Sequence, residues 1–168
     1  DAIRALGYVV ARDRLFQIEL QTRAGEGTLT ELVGPAALPL DQQTRRLGMP
    51  RAAEARLAAL DATSMDFQLL RAYADGVNAW RATVTSATRP IEYKLLNAMP
   101  REYLPVHAMH LFNRMGFTLA HDPLELEYLQ TRALVGDAAA KGIFDIDSPV
   151  QEPIQPTANN GPRDLLFS

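Results

Sequence analysis

A mainly α-helical chain is what this sequence predicts, on three observations. Apolar residues recur every three or four positions in segment after segment, as at Phe67, Leu70, Tyr73, Val77 and Trp80. Helix start and stop signals bracket those segments, with Pro50, Thr63-Ser64 and Pro105 at beginnings and Gly136 at an end. Nowhere does polarity alternate with period two for long enough to make a strand.

The elements follow in order. Residues 2–20 read as a helix apolar on more than one face (Ile3, Leu6 and Val10 with Tyr8, Val9, Leu15, Phe16 and Ile18), hence buried on most sides. Thr28 to Val33 reads as a short helix with Thr28 as cap and Glu31 three residues on. Pro50 opens an alanine-rich helix, and Thr63-Ser64 with Asp66 caps a longer one, FQLLRAYADGVNAWRATV. Residues 84–105 carry three prolines and read as a loop around a short turn at Ile91 to Leu96. Pro105 starts a helix reaching about Ala120, Asp122-Pro123 resets the chain, and LELEYLQTRALV makes a further helix ending at Gly136. The chain divides into a helical domain, 1–152, and an extended tail, 153–168, rich in Pro, Asn and Asp.

With 168 residues, 47% of them hydrophobic, the chain is long enough to bury a core. A net charge of -3 with no basic cluster argues against nucleic acid, and no apolar run approaches the ~20 residues of a membrane span. The absence of cysteine removes disulfides and thiolate metal sites from consideration. There is no Gly-x-Ser-x-Gly elbow and no phosphate loop. His107 and His110 stand one turn apart with Asp122 and Glu125 downstream, the beginnings of a zinc site, but neither these residues nor His121 complete a fixed ligand spacing, and the plain reading is of helix-surface histidines. Glu125 and Glu127, two apart on a helix, point away from each other and make a poor acid/base pair. Phe112, Met115 and Leu119 have the spacing of a core stripe. The charges Arg12-Asp13-Arg14 in the middle of the apolar opening segment either reach solvent or form an internal ion pair; Asp13 is expected to be buried with a partner.

The segment GYVVARDRLFQIELQTRAGEGTLTELVG strongly resembles the start of the small chain of the penicillin acylases, and further landmarks follow in order: DQQTRR, YADGVNAW, PIEYKLL, REYLP and VQE. The resemblance covers most of the chain and implies a family strand and turn ahead of residue 1. It implies an N-terminal-nucleophile hydrolase, made as one precursor, cut autocatalytically, and built as a heterodimer with a four-layer αββα core. The nucleophile of such enzymes is the first residue of the large chain, a serine activated by its own α-amine. Ser168 has no such amine and is not expected to act so; the 153–168 tail leads toward an excised spacer. The implied reaction is hydrolysis of an amide between an apolar acyl group and an amine such as a β-lactam nucleus, in a periplasmic or secreted protein. An acylase of acyl-homoserine lactones or other long-chain amides is the alternative within the family, and a non-catalytic helical binding domain the alternative outside it.

By the same resemblance this chain supplies one acyl-pocket wall and one calcium ligand. Two registers compete on the helix from Pro105. Identity lays Asn113-Arg114 on the family's Asn-Arg and makes Leu111 and Met115 the pocket residues; spacing from Tyr103 to Pro105 and to the acidic helix favours Met115 and Leu119, with Thr118 at the family's arginine. Spacing is preferred, and it implies an aliphatic wall. The calcium ligand falls on Glu125, with Glu127 as the fallback.

Overall fold

The computed structural model describes residues 1–120 and 124–144, and its described elements are helices joined by short turns, with no strand among them. They belong to two compact units, Asp1–His121 and a second beginning at Asp122. The expected tail at 153–168, the VQE landmark, His121 and Asp122 lie outside the described residues.

In the first unit, α1 (Ala2–Glu26) is longer than the sequence suggests and is buried along one stripe, Gly7, Ala11, Leu15, Ile18, Thr22 and Gly25. Its other faces are open in this chain, where Leu6, Tyr8 and Val9 are exposed, so many-sided burial is not what this chain alone achieves. At Arg14 the backbone leaves helical geometry (φ -142°, ψ 30°), and the charged triplet sits at this interruption. The expected burial of Asp13 is not met: its carboxylate is exposed and paired with Arg12 at 2.9 Å.

After α1, α2 (Thr30–Val33) begins without the expected cap from Thr28, whose hydroxyl donates to Glu26 instead. Asp41 does that work from α3 (Leu38–Arg46), accepting from the backbone N–H of Leu29 at 2.8 Å and of Thr30 at 2.7 Å. A carboxylate at a helix N-terminus satisfies orphan donors and meets the positive end of the dipole. Burial opposes its ionisation, but the hydrogen bonds from Thr30 and Leu29 prevail and hold its carboxyl below the usual range. The remaining helices are α4 (Met49–Ala58), α5 (Met65–Arg81), capped by Ser64 Oγ accepting from Phe67 N at 3.2 Å, α6 (Ile91–Leu95) and α7 (Pro105–Ala120).

Helix α5 lies against α1 at backbone distance. A Cβ added at Gly7 would land on the carbonyl oxygen of Tyr73, and one at Gly76 on that of Arg4. Around this seam Ala11, Leu15, Ile18, Ala74, Val77, Tyr93 and Tyr103 form the core. Helix α7 crosses α1 with similar intimacy at Gly25, where a Cβ would meet His110 O.

In the second unit, α8 (Leu124–Val135) is followed by Gly136 at φ 86° and by α9 (Asp137–Phe144). Tyr128 is buried there, edge-on to Phe144, and its hydroxyl bonds Asp137 at 3.3 Å.

Candidate functional site

Helix α7 carries most of the residues singled out by the sequence. Phe112, Met115 and Leu119 are 61%, 52% and 78% exposed, so the reading of this stripe as core fails in this chain. Positions three or four apart share a helix face, and this face is apolar and open. Leu111 is half-buried, Thr118 is exposed and returns its hydroxyl to the carbonyl of Arg114 at 2.9 Å, and Arg114 is half-buried with its Nε unpaired. The middle of the helix is held by α4: Asn113 Nδ2 donates to Met49 O at 3.1 Å, and the Arg56 guanidinium stands 4.6 Å over the Phe112 ring. One edge of α7 is thus fixed to the fold, and the adjoining edge offers aliphatic and aromatic surface.

Glu125 and Glu127 are exposed in the first turn of α8. Among the described residues no three His, Asp or Glu side chains converge as a metal site. His107 and His110 are not surface histidines: they are 4% and 2% exposed, and His107 Nδ1 accepts from Leu104 N at 3.0 Å. The zinc reading has no third ligand among the described residues and no open face at either ring.

Behind α7 lies a buried polar network that sequence reasoning did not find. Glu19, 5% exposed on α1, accepts from Arg23 Nε at 2.8 Å, from Tyr93 Oη at 2.7 Å and from Arg101 N at 3.1 Å. Arg101 Nη1 pairs with Glu26 at 2.6 Å. Burial first, and then Glu19, raise the Tyr93 hydroxyl well above its ordinary pKa, so it stays a donor. Asn78 on α5 mimics a strand partner for the loop before α7, its Nδ2 donating to Tyr103 O at 2.7 Å and its Oδ1 accepting from Tyr103 N at 2.9 Å. The network adjoins a cavity of about 10 Å³ lined in part by Glu19, Thr22, Arg101, Tyr103 and His107, room for about one water. Its members come from the same segments that carry the family resemblance: Glu19 from the opening one, Asn78 from YADGVNAW, Tyr93 from PIEYKLL and Arg101 from REYLP. The signal was the occurrence of polar residues inside apolar segments. Their mutual distances, up to 82 residues along the chain, could not be read from it.

Chemically, these elements hold and shape. The described histidines are packed away from solvent, Glu19 is fully engaged, and what α7 presents outward is apolar surface.

Comparison with known proteins gives the setting. The chain is 41% identical over 140 residues to penicillin acylase 2 proenzyme of Pseudomonas sp. (strain SE83), covering 83% of this chain and 18% of that protein. It is 39% identical to penicillin G acylase of Escherichia coli over 67% of this chain and 11% of that protein. It is 32% identical to the acyl-homoserine lactone acylase QuiP of Pseudomonas aeruginosa (strain PAO1) over 71% of this chain and 14% of that protein. The chain therefore spans under a fifth of the length of these curated relatives. By contrast, its superposition on thermostable penicillin G acylase from Alcaligenes faecalis, with a TM-score of 0.70 at 27% identity, covers 95% of this chain and 87% of the solved one, so those two chains are of similar size. The penicillin amidase family model matches residues 1–160. The landmark segments from the opening one to VQE and the glycine seam between α1 and α5 all fall within that match, and the chain belongs to the penicillin amidase family, as its small-chain part.

Proposed function

We propose that this chain is the small subunit of a penicillin-acylase-type amidohydrolase and supplies one wall of the acyl pocket. The nucleophile, an N-terminal serine, would lie in a large chain cut from the same precursor, together with the strands of the four-layer core. The observation that carries this reading is the open stripe of α7, Phe112, Met115 and Leu119, on a helix otherwise anchored to the fold. Met115 and Leu119 are one turn apart and can face one cavity, with Thr118 beside them; in the other register Leu111 and Met115 do so, with Arg114 beside them. The reaction is hydrolysis of an amide that joins an apolar acyl group to an amine such as a β-lactam nucleus, in the periplasm or outside the cell.

A second reading, an acylase of long-chain amides such as acyl-homoserine lactones, is supported by the likeness to QuiP and by the aliphatic wall. An aromatic wall gains ~0.5–1.5 kcal/mol from ring contacts, whereas burial of an alkyl chain yields ~0.8 kcal/mol per methylene on either surface. Aliphatic acyl groups are therefore expected to be accepted at least as well as phenylacetyl. In the enzyme processed from its full precursor, Leu119→Phe should shift the kcat/KM ratio of phenylacetyl over octanoyl anilide upward by roughly tenfold. A shift with Leu111→Phe instead selects the other register, and no shift with either removes α7 from the pocket.

Calcium belongs to the same proposal. It takes six to eight oxygens at ~2.3–2.6 Å, so the exposed carboxylate of Glu125, or Glu127 in its place, fits as one ligand of a site completed by the partner chain. Bound there, the ion would tie the two chains together.

A further inference from the structure

An α-helix leaves its first backbone N–H groups without internal partners, and a side chain must usually meet them. At the start of α7 the residue before the helix is Leu104, which has no polar side chain to offer. The third helical residue reaches back instead: Leu104 N donates to His107 Nδ1 at 3.0 Å, while His107 N donates to Leu104 O at 2.9 Å. A Glu or Gln commonly occupies that position and accepts that bond. An imidazole nitrogen accepts only while unprotonated, so this cap, unlike a Gln, depends on pH.

We infer that α7 has an acid-sensitive N-terminal cap, in which protonation of His107 sets two N–H donors against each other and releases the first turn of the helix from its seat on α1. The surroundings give the new charge little relief. Arg101, from the segment leading into α7, is a cation close to the ring, and the positive end of the helix dipole lies beside it. His110 follows one turn later, its own ring buried with Nδ1 unpaired and its charge opposed by burial and Arg101, favoured by Glu26 and by Glu54 of α4. Tyr103 packs edge-on at 5.2 Å, and α5 contributes the apolar Val77. Glu26 and Glu19 on α1 favour the imidazolium, but Glu26 is engaged by Arg101 and Glu19 by Arg23, Tyr93 and the Arg101 backbone. Burial outweighs them all, and the His107 ring is lowered from 6.5 to about 4.

A folded-state value below the unfolded one means that the unfolded chain takes up the proton first. The stability contributed by the neutral cap is complete above about pH 6.5 and is lost as pH falls toward about 4. This holds whether or not α7 lines an acyl pocket.

Amide hydrogen exchange in the processed, two-chain protein, corrected for intrinsic rates, tests it between about pH 7 and about pH 4.5. Peptides covering Leu104 to Ala108 should lose protection severalfold on acidification and recover it on neutralisation, while Ala74 to Asn78 of α5 stays protected. His107→Gln, which keeps an acceptor and does not titrate, should abolish the acid loss; His107→Ala should be unprotected at both ends. Equal acid loss in His107→Gln, or none in the parent, overturns the inference. Should the variants fail to assemble, deuterium uptake at the imidazole C2 of the parent reads the same ring, and a midpoint at the ordinary histidine value overturns it.

Discussion

Two carboxylates on α1, six residues apart, show how differently a charge behaves by position. Glu19 is buried and satisfies three donors from α1, α6 and the segment before α7. Removing it leaves the Nε of a largely buried arginine, a buried tyrosine hydroxyl and a backbone N–H without their acceptor, although Arg23 Nη1 keeps Glu31 at 3.0 Å. Losing one partner of a buried ionic network typically costs about 3–5 kcal/mol. Glu19→Ala is therefore expected to lower the denaturant midpoint of the processed protein sharply or to block its assembly, and Glu19→Gln to retain part of the network. Asp13 is solvated and, among the described residues, its carboxylate is bonded to its neighbour Arg12, whose guanidinium holds it below the usual range. Asp13→Ala should leave the midpoint of this chain's own fold unmoved. Equal losses from the two alanine variants would mean that Asp13 is buried against something outside this chain. The sequence pointed at the wrong carboxylate because a conspicuous triplet of charges stands out in a row of letters, whereas a single Glu between Ile18 and Leu20 does not.

Among the helices, those whose signals are local were legible. Ser64 caps α5 from the adjacent residue, Pro50 and Pro105 sit in the first turns of α4 and α7, and Gly136 closes α8 in the left-handed region. What was missed depends on distant partners. α3 was not expected because LPLDQQTRR is mostly polar; its place is fixed by Asp41 capping α2 and by Thr44 donating to Ala24 O at 3.0 Å. The apolar pattern that marks α1 ends at Leu20, yet the helix runs on to Glu26 through Gly25, where α7 presses on its backbone. The exposed stripe of α7 was legible as a stripe, but whether it faced a core or the outside needed the fold. The glycine seam yields a prediction of its own. Alanine within a helix gains ~0.5–1 kcal/mol over glycine from backbone entropy, but a Cβ at Gly76 meets the carbonyl of Arg4, a backbone atom that cannot rotate away. Overpacking costs ~1–3 kcal/mol, so Gly76→Ala should be net destabilising by thermal unfolding, although the same change at an open helical glycine such as Gly116 stabilises. A higher melting temperature for Gly76→Ala would show that α1 and α5 separate at little cost.

Taken as a whole, the chain leaves much of its apolar material uncovered. Leu6, Tyr8 and Val9 on α1, Phe112, Met115 and Leu119 on α7, and Leu126, Leu129 and Leu134 on α8 are all exposed. Isolated exposed leucines are ordinary, but exposed apolar groups on three separate helices are what an obligate subunit shows when its partner is missing. A protein stabilised by a partner draws its apparent stability from mass action with it, and without it the open stripes meet one another. Expressed alone, this chain should associate or bind a hydrophobic dye strongly, and co-expression with the proposed large chain should give a single heterodimer. If calcium is shared through Glu125, chelation should lower the melting temperature of that heterodimer, and Glu125→Gln should lower it to the same extent while making it indifferent to chelation. A monodisperse lone chain with a sharp thermal transition would refute the obligate partnership, whereas a normal heterodimer unaffected by chelation would remove only the metal: the stripes would then suffice to hold the two chains together.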